Sequence, residues 1–335
     1  MIDISNKDIL VSYLKEKDII TNEMDYDLKY CAGGVSGTVA FLSLKDKDLI
    51  IKQALSKLKV KEDWLCDPSR MYVEQLSNKI YHDIAPDSVP EVLFYDEENY
   101  IYGRIAAPDH CRMWKEDLMD NILDFLVAKQ SIEALVKVHN TCNNDKYVAK
   151  EFADKKVFYD LRISPYIEFT VEKHPEYKRI ATFLSKELME QSITLVHGDY
   201  SPKNIMCDQR KIFILDFEVA HYGNPVFDLA FFANHFVLKS IKFDNKNEAY
   251  LNMLDYMLDI YFKESNYENK DCVLSYFVKL LGMLMLARVD GKSPVEYLVD
   301  DEDKKQLVRD IAASLMTSNI TDYKKAISLI KFLEK

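Results

Sequence analysis

The chain has 335 residues, enough for two domains or two unequal lobes, each with its own core. Hydrophobic residues at 48% and charged residues at 30% exclude a largely disordered chain. A net charge of -11, with no Lys/Arg run to offset it, argues against extended contact with nucleic acid.

In chain order, residues near 6–19 read as a helix with Ile9, Leu10 and Leu14 on a recurring face. Strands are predicted at Tyr26 to Tyr30, Val39 to Leu44 and Leu49 to Ala54, with Gly33, Gly34, Ser36, Gly37 and Thr38 in the loop between the first two. Pro68 opens a helix over Ser69 to Ile80. Val92 to Tyr95 and Tyr100 to Ile105 form a hairpin pattern. Past Ala106–Pro108, helical stretches are predicted at about 115–140, 175–191, 227–238, 245–263, 271–289 and 304–316, and only His197 to Phe217 resembles hairpin material. The expected fold class is therefore α+β, with a small mainly β N-terminal lobe over 1–106 and a large mainly α C-terminal lobe over 107–335.

The N-terminus carries acids where a signal peptide would be basic, and charges interrupt the longest apolar runs before membrane-spanning length. No membrane partner and a cytoplasmic location are expected; nothing in the sequence sets the oligomeric state. Six scattered cysteines without a C-x-x-C pair argue against a disulfide framework or structural zinc.

Leu195-Val-His-Gly-Asp-Tyr-Ser-Pro-Lys-Asn-Ile205 and Ile214-Leu-Asp-Phe-Glu-Val-Ala220 carry the most chemistry. Asp199, Asn204 and Asp216 stand among short apolar runs. Two acids and an amide so placed can orient a hydroxyl and hold the Mg that accompanies a nucleoside triphosphate, ATP or GTP. Asp199 is the candidate that orients the acceptor hydroxyl and takes its proton; Asn204 and Asp216 are candidate metal ligands. His197 can organise the catalytic loop through backbone near Asp216. Lys203 either neutralises the transferring phosphoryl group or is a surface lysine. Asp228 reads as a helix-start or loop-bracing acid. Glu218 is open between a supporting charge and a substrate contact.

Upstream, a glycine-rich loop lets backbone N–H groups approach phosphates, or is simply a hairpin. Lys52, inside an apolar strand, needs a partner, and Glu74 on the next helix is the best acid; alternatively both face water. In the helical part, Arg288 and Asp290 can reach polar substrate groups or serve as caps and ion pairs, and Trp114, Arg162 and Tyr166 are further candidates.

This set resembles the aminoglycoside phosphotransferase and choline kinase group, which shares the two-lobed protein-kinase-like fold. His197-Gly-Asp-x-x-x-x-Asn204 looks like its catalytic loop, and Leu215-Asp-Phe-Glu218 like its metal-binding segment. The resemblance implies that Lys52 and Glu74 hold nucleotide phosphates and that Arg104 to Ala106 meet the nucleobase. Ile-Lys-Gln-Ala54 and Asp-Phe-Glu-Val-Ala-His-Tyr-Gly223 are similar to methylthioribose kinases and bacterial relatives, whereas Tyr200-Ser-Pro-Lys203 departs from the methylthioribose kinase pattern. The implied activity is phosphoryl transfer to a hydroxyl of a small polar molecule, with a nucleotide-binding regulatory protein as the alternative. The acidic net charge leads to the expectation of a neutral or cationic acceptor.

Overall fold

The computed structural model describes residues 1–31, 37–54, 68–208 and 210–334. They form two compact units, Met1–Cys111 and Arg112–Lys335.

The first unit is built on a five-stranded antiparallel sheet of β1 (Tyr26–Tyr30), β2 (Gly37–Leu44), β3 (Asp48–Ala54), β4 (Val92–Asp96) and β5 (Ile101–Ile105), in the order β1-β2-β3-β5-β4. Helix α1 (Lys7–Glu16) is capped by Asn6, whose side chain accepts from the N–H groups of Asp8 and Ile9. Its inward face is Leu10, Tyr13 and Leu14; Ile9, expected on that face, is exposed. These residues join Leu42, Leu49, Ile51 and Ile101 in one core. Alternation along β3 then turns Lys52 to the opposite face. There Ala54 and Tyr102 pack with Met71 of α2 (Arg70–Ile84), one turn longer than the predicted helix.

In the second unit the predicted helix over 115–140 is two helices, Trp114–Met119 and Phe125–Thr141. The break has a local cause: Asn121 adopts a φ of 59°, and Asp124 caps the second helix by accepting from Leu126 and Val127 N–H. Several helical elements had no counterpart among the expected helices, the three longest of them six residues or more. These three are Lys146–Glu151, a π-helix at Tyr159–Glu168 that contains Pro165, and Tyr323–Leu333.

Helix Val226–Lys242 is the hub of this unit, buried from Val226 through Ile241. It packs against Asn247–Glu264, Lys270–Asp290 and Glu302–Thr317. The segment Lys270–Asp290 corrects one expectation, because it is long and apolar enough to cross a bilayer by length and composition. Its apolar surface has another destination: 67% of its most apolar stretch is buried inside the protein. At Gly282 a Cβ would lie 2.8 Å from Ala312 O, so the close approach of the 302–317 helix depends on the missing side chain.

Short strands complete the unit. Thr194–Val196 pairs antiparallel with His221–Gly223, and Ile205–Cys207 lies between Arg112–Met113 and Ile212–Ile214. They fix both ends of the loop that carries Asp199.

Candidate active site

Within the first unit, Lys52 Nζ lies 2.6 Å from Glu74 Oε1, and Tyr102 OH donates to the same oxygen at 2.9 Å. Register places Tyr102 directly opposite Lys52, so sheet pairing and helix packing together build the triad. Glu74 is 2% exposed. The water-facing alternative for this pair is therefore wrong. A buried carboxylate needs such partners, because desolvating an unpaired charge is costly. Burial, then the Glu74 charge, raises the Tyr102 phenol well above its ordinary value, keeping it a donor.

Other candidates in this unit are placed as follows. Gly37 sits where a Cβ would come 2.5 Å from Gln53 O, which explains glycine there through packing between β2 and β3. Thr38 is buried with an unpartnered hydroxyl. Arg104 Nη1 donates to Ile105 O at 2.9 Å, and Ala106 N–H donates to Asp48 O at 2.8 Å. Gly33, Gly34 and Ser36 lie outside the described residues.

In the second unit, Asp199 follows Gly198, whose φ of 76° is a conformation only glycine takes readily. A Cβ there would also meet Val219 O at 2.5 Å. Asp199 Oδ2 accepts from Asn204 Nδ2 at 2.8 Å and pairs with Lys203 Nζ at 2.9 Å. Asp199 Oδ1 forms an ion pair with Arg162 Nη2 at 2.7 Å. Burial alone would raise the Asp199 carboxyl; Arg162 and then Lys203 reverse this and hold it below its ordinary range.

Arg162 comes from the π-helix that sequence periodicity did not reveal. Its Nε donates to Gly198 O at 2.8 Å, and its guanidinium lies 5.4 Å from the Phe231 ring centre. Sequence reading counted it only among substrate candidates; its geometry makes it the partner of Asp199.

His197 is fully buried, with both ring nitrogens engaged. Nδ1 accepts from Asp199 N–H at 3.2 Å and Nε2 donates to Leu215 O at 3.2 Å. Burial pushes its ionisation down, so the ring is neutral and serves as a strut between the two motif segments. Leu215 N–H in turn donates to Asn204 O at 2.9 Å. Asp216 follows with a φ of 67°, a strained conformation for a residue with a side chain. Asn204 Nδ2 is engaged by Asp199, which leaves its amide oxygen as the end suited to a cation. That oxygen and the Asp216 carboxylate are hard ligands of the kind Mg prefers.

Asp228 braces this loop from the hub helix. Its carboxylate is fully buried and accepts from His197 N–H at 2.7 Å and Gly198 N–H at 2.8 Å. His139 Nε2 lies 3.3 Å from the same carboxylate, and its Nδ1 bonds Tyr261 OH at 2.7 Å. His139 was not singled out in the sequence, where it is one of several polar residues in an amphipathic helix.

Of the expected substrate contacts, Glu218 is half-buried and bears electrostatically on Arg162. Arg288 Nη1 donates to Tyr166 OH at 3.1 Å and Ser293 Oγ at 3.0 Å. Asp290 takes the ion-pair alternative. Arg309 approaches its two oxygens, each at 2.9 Å, and His174 Nε2 lies 2.8 Å away, which pins the 270–290 helix to its neighbours. Tyr200, where the sequence departs from the methylthioribose kinase pattern, is buried and donates to Ser131 O, so its role is in the core.

With this geometry established, the model of the phosphotransferase enzyme family matches residues 78–252, more than half of the chain. The chain belongs to the phosphotransferase enzyme family. Methylthioribose kinase 2 of Oryza sativa subsp. japonica is 25% identical over 219 residues, 57% of this chain and 51% of the rice enzyme. The chain thus matches about half the length of that relative. A methylthioribose kinase of Bacillus cereus is 26% identical over 268 residues, covering 71% of this chain and 66% of that enzyme. Among solved structures, amicoumacin kinase hAmiN in complex with AMP-PNP, Ca2+ and Ami has a TM-score of 0.51 at 13% identity, over 94% of this chain and 96% of that one. That likeness shows the fold, which is the protein-kinase-like α+β class expected from the sequence.

The Arg162 contact gives this family member a testable electrostatic signature. Because Arg162 lowers the Asp199 carboxyl, Arg162→Met should raise it, and the acid limb of kcat/KM should move to higher pH. The sign also governs stability. Ionised Asp199 stabilises the fold above its unfolded-state value, about 3.9, and that contribution is lost as pH falls through the lower folded value. An unchanged acid limb in a folded variant would dissociate Arg162 from Asp199 ionisation.

Proposed function

We propose that this chain transfers the γ-phosphoryl group of ATP to a hydroxyl of a small polar molecule. The observation that carries the reading is the Asp199 cluster: a buried carboxylate held ionised beside Arg162 and Lys203, with Asn204 locked against it. In the reaction the acceptor oxygen forms a bond to phosphorus while the bond from phosphorus to the β-phosphate oxygen breaks. ADP leaves with the electron pair, and the hydroxyl proton passes to Asp199.

Each residue has a distinct task. Asp199 orients the hydroxyl; its low basicity suits proton acceptance late, when the oxygen is already bonding to phosphorus. Lys203, half-exposed beside Asp199, offsets charge on the transferring group. Lys52, held by Glu74, is the cation assigned to the nucleotide phosphates. Asn204 and Asp216 would hold Mg, which supplies charge neutralisation on the phosphates when bound. The methylthioribose kinases among its relatives make methylthioribose a candidate acceptor worth testing.

Calorimetric titration of ATP and GTP with Mg tests the nucleotide half of this proposal. Asp216→Ala should weaken Mg–ATP binding by about tenfold or more, through loss of one anionic ligand, whereas affinity without metal should change little. Equal binding of Mg–ATP by wild type and Asp216→Ala would remove Asp216 from the metal site. Tighter binding of GTP than ATP would overturn the nucleotide assignment.

A further inference from the structure

A second group of buried donors lies in the 112–335 unit, and no step above uses it. His235 and Lys239 stand four residues apart on the hub helix and so share one face. His235 is 8% exposed, and its Nε2 is buried without a hydrogen-bond partner. Lys239 is 1% exposed, and the charges that act on its ammonium are those of Lys115, Glu296 and Arg288. That ammonium lies 5.3 Å from the ring centre of Tyr297, whose own hydroxyl is buried and unpartnered. Arg288 adds a second cation. Its Nη1 is engaged by Tyr166 and Ser293, but its Nε is buried and unpartnered.

The charges around this group are mostly positive. After burial, Lys239, Arg288, Lys203 and Lys115 all disfavour protonation of His235. Burial, Lys115 and Arg288 likewise push Lys239 down to about 7, opposed by Glu296. That acid is already ion-paired with Lys115, and Lys203 with Asp199. A fold gains nothing from a guanidinium nitrogen, an imidazole nitrogen and a phenol buried without partners beside an ammonium, because each gives up its bonds to water. Such a group makes sense when something anionic supplies the missing acceptors.

Its position relative to Asp199 is set by aromatic rings. Tyr166 lies 5.8 Å from the guanidinium carbon of Arg288 and 5.8 Å from that of Arg162, the cation paired with Asp199. Phe231, one turn before His235, also contacts both His235 and Arg162. The donors and the reacting carboxylate are thus linked through one layer of side chains.

We propose that His235, Lys239, Arg288 and Tyr297 bind an anionic substituent, a carboxylate or a phosphate, of the acceptor whose hydroxyl is phosphorylated. This rests on the phosphotransfer reading above and reverses the neutral or cationic acceptor expected from net charge. Net charge describes the whole surface, whereas the acceptor meets this local cluster.

Matched acceptors test it, each supplied with Mg–ATP: gluconate against sorbitol, glycerophosphate against glycerol, and ethanolamine and choline as cations. The anionic member of a pair should be turned over in preference, and which pair responds separates carboxylate from phosphate. Lys239→Met should raise KM for that acceptor by about tenfold or more while leaving kcat and ATP affinity near wild type. The variant should melt at or above the wild-type temperature, since it removes a buried charge that burial, Lys115 and Arg288 disfavour. Preference for neutral or cationic members, or an unchanged KM in Lys239→Met, overturns the proposal and leaves phosphotransfer standing. If no member is turned over, melting in sodium sulfate decides. A sulfate-dependent rise that Lys239→Met abolishes supports the anion site, and equal rises in both proteins overturn it. Phosphotransfer fails separately, when wild type forms no ADP with any acceptor although the sulfate response is intact.

Discussion

Asp199→Asn should lower turnover by about 10²–10⁴-fold with ATP affinity close to wild type. The substitution is nearly isosteric, so the loop and its contact with Asn204 can persist. What disappears is the negative charge that Arg162 and Lys203 balance and the oxygen able to accept the hydroxyl proton. The variant also leaves Arg162, which is largely buried, without its counter-charge. Some loss of stability should therefore accompany the loss of rate, and kcat must be measured on protein shown to be folded. Steady-state rates beside calorimetric ATP titration separate the effects. Turnover within about tenfold of wild type would deny Asp199 a role as proton acceptor.

Asp228→Ala should destabilise the protein by roughly 3–5 kcal/mol. Its carboxylate is fully buried and receives the N–H groups of His197 and Gly198 as well as facing His139. Removing it strands those donors in an interior that water does not reach, and each lost partner carries its own desolvation cost. The loop they anchor also carries Asp199, so activity should fall along with stability. Urea unfolding followed by circular dichroism measures the shift in midpoint. A change below about 1 kcal/mol would mean that the loop holds its shape without this brace.

Much of the site was legible because its residues are close in sequence or lie on regular elements. The spacing from His197 to Asp216 survives folding as one connected set, tied through Leu215. Lys52 stood out as a charge in an apolar strand, and the structure supplies Glu74 as its partner. Arg162 was harder to assign because the π-helix has no 3.6-residue apolar period, contains Pro165, and meets Asp199 from 37 residues upstream. Asp290 was left open between substrate contact and ion pair for a related reason: its partners His174 and Arg309 are remote in sequence or sit on a separate helix, and ion pairing across such distances leaves no local pattern. The break between the helices ending at Met119 and starting at Phe125 depends on Asn121 and Asp124, turn and cap residues inside a stretch whose hydrophobic period hardly falters.

The central claim is transfer of a phosphoryl group to a small hydroxyl compound under control of Asp199. Incubating the protein with Mg and γ-labelled ATP against a library of sugars, sugar acids, amino alcohols and methylthioribose, then following label in the acceptors, tests it most directly. The account predicts label in at least one acceptor with matching formation of ADP, both reduced to near background in folded Asp199→Asn. Transfer by Asp199→Asn at the wild-type rate, or Mg–ATP binding by wild type with no label in any acceptor, would contradict it.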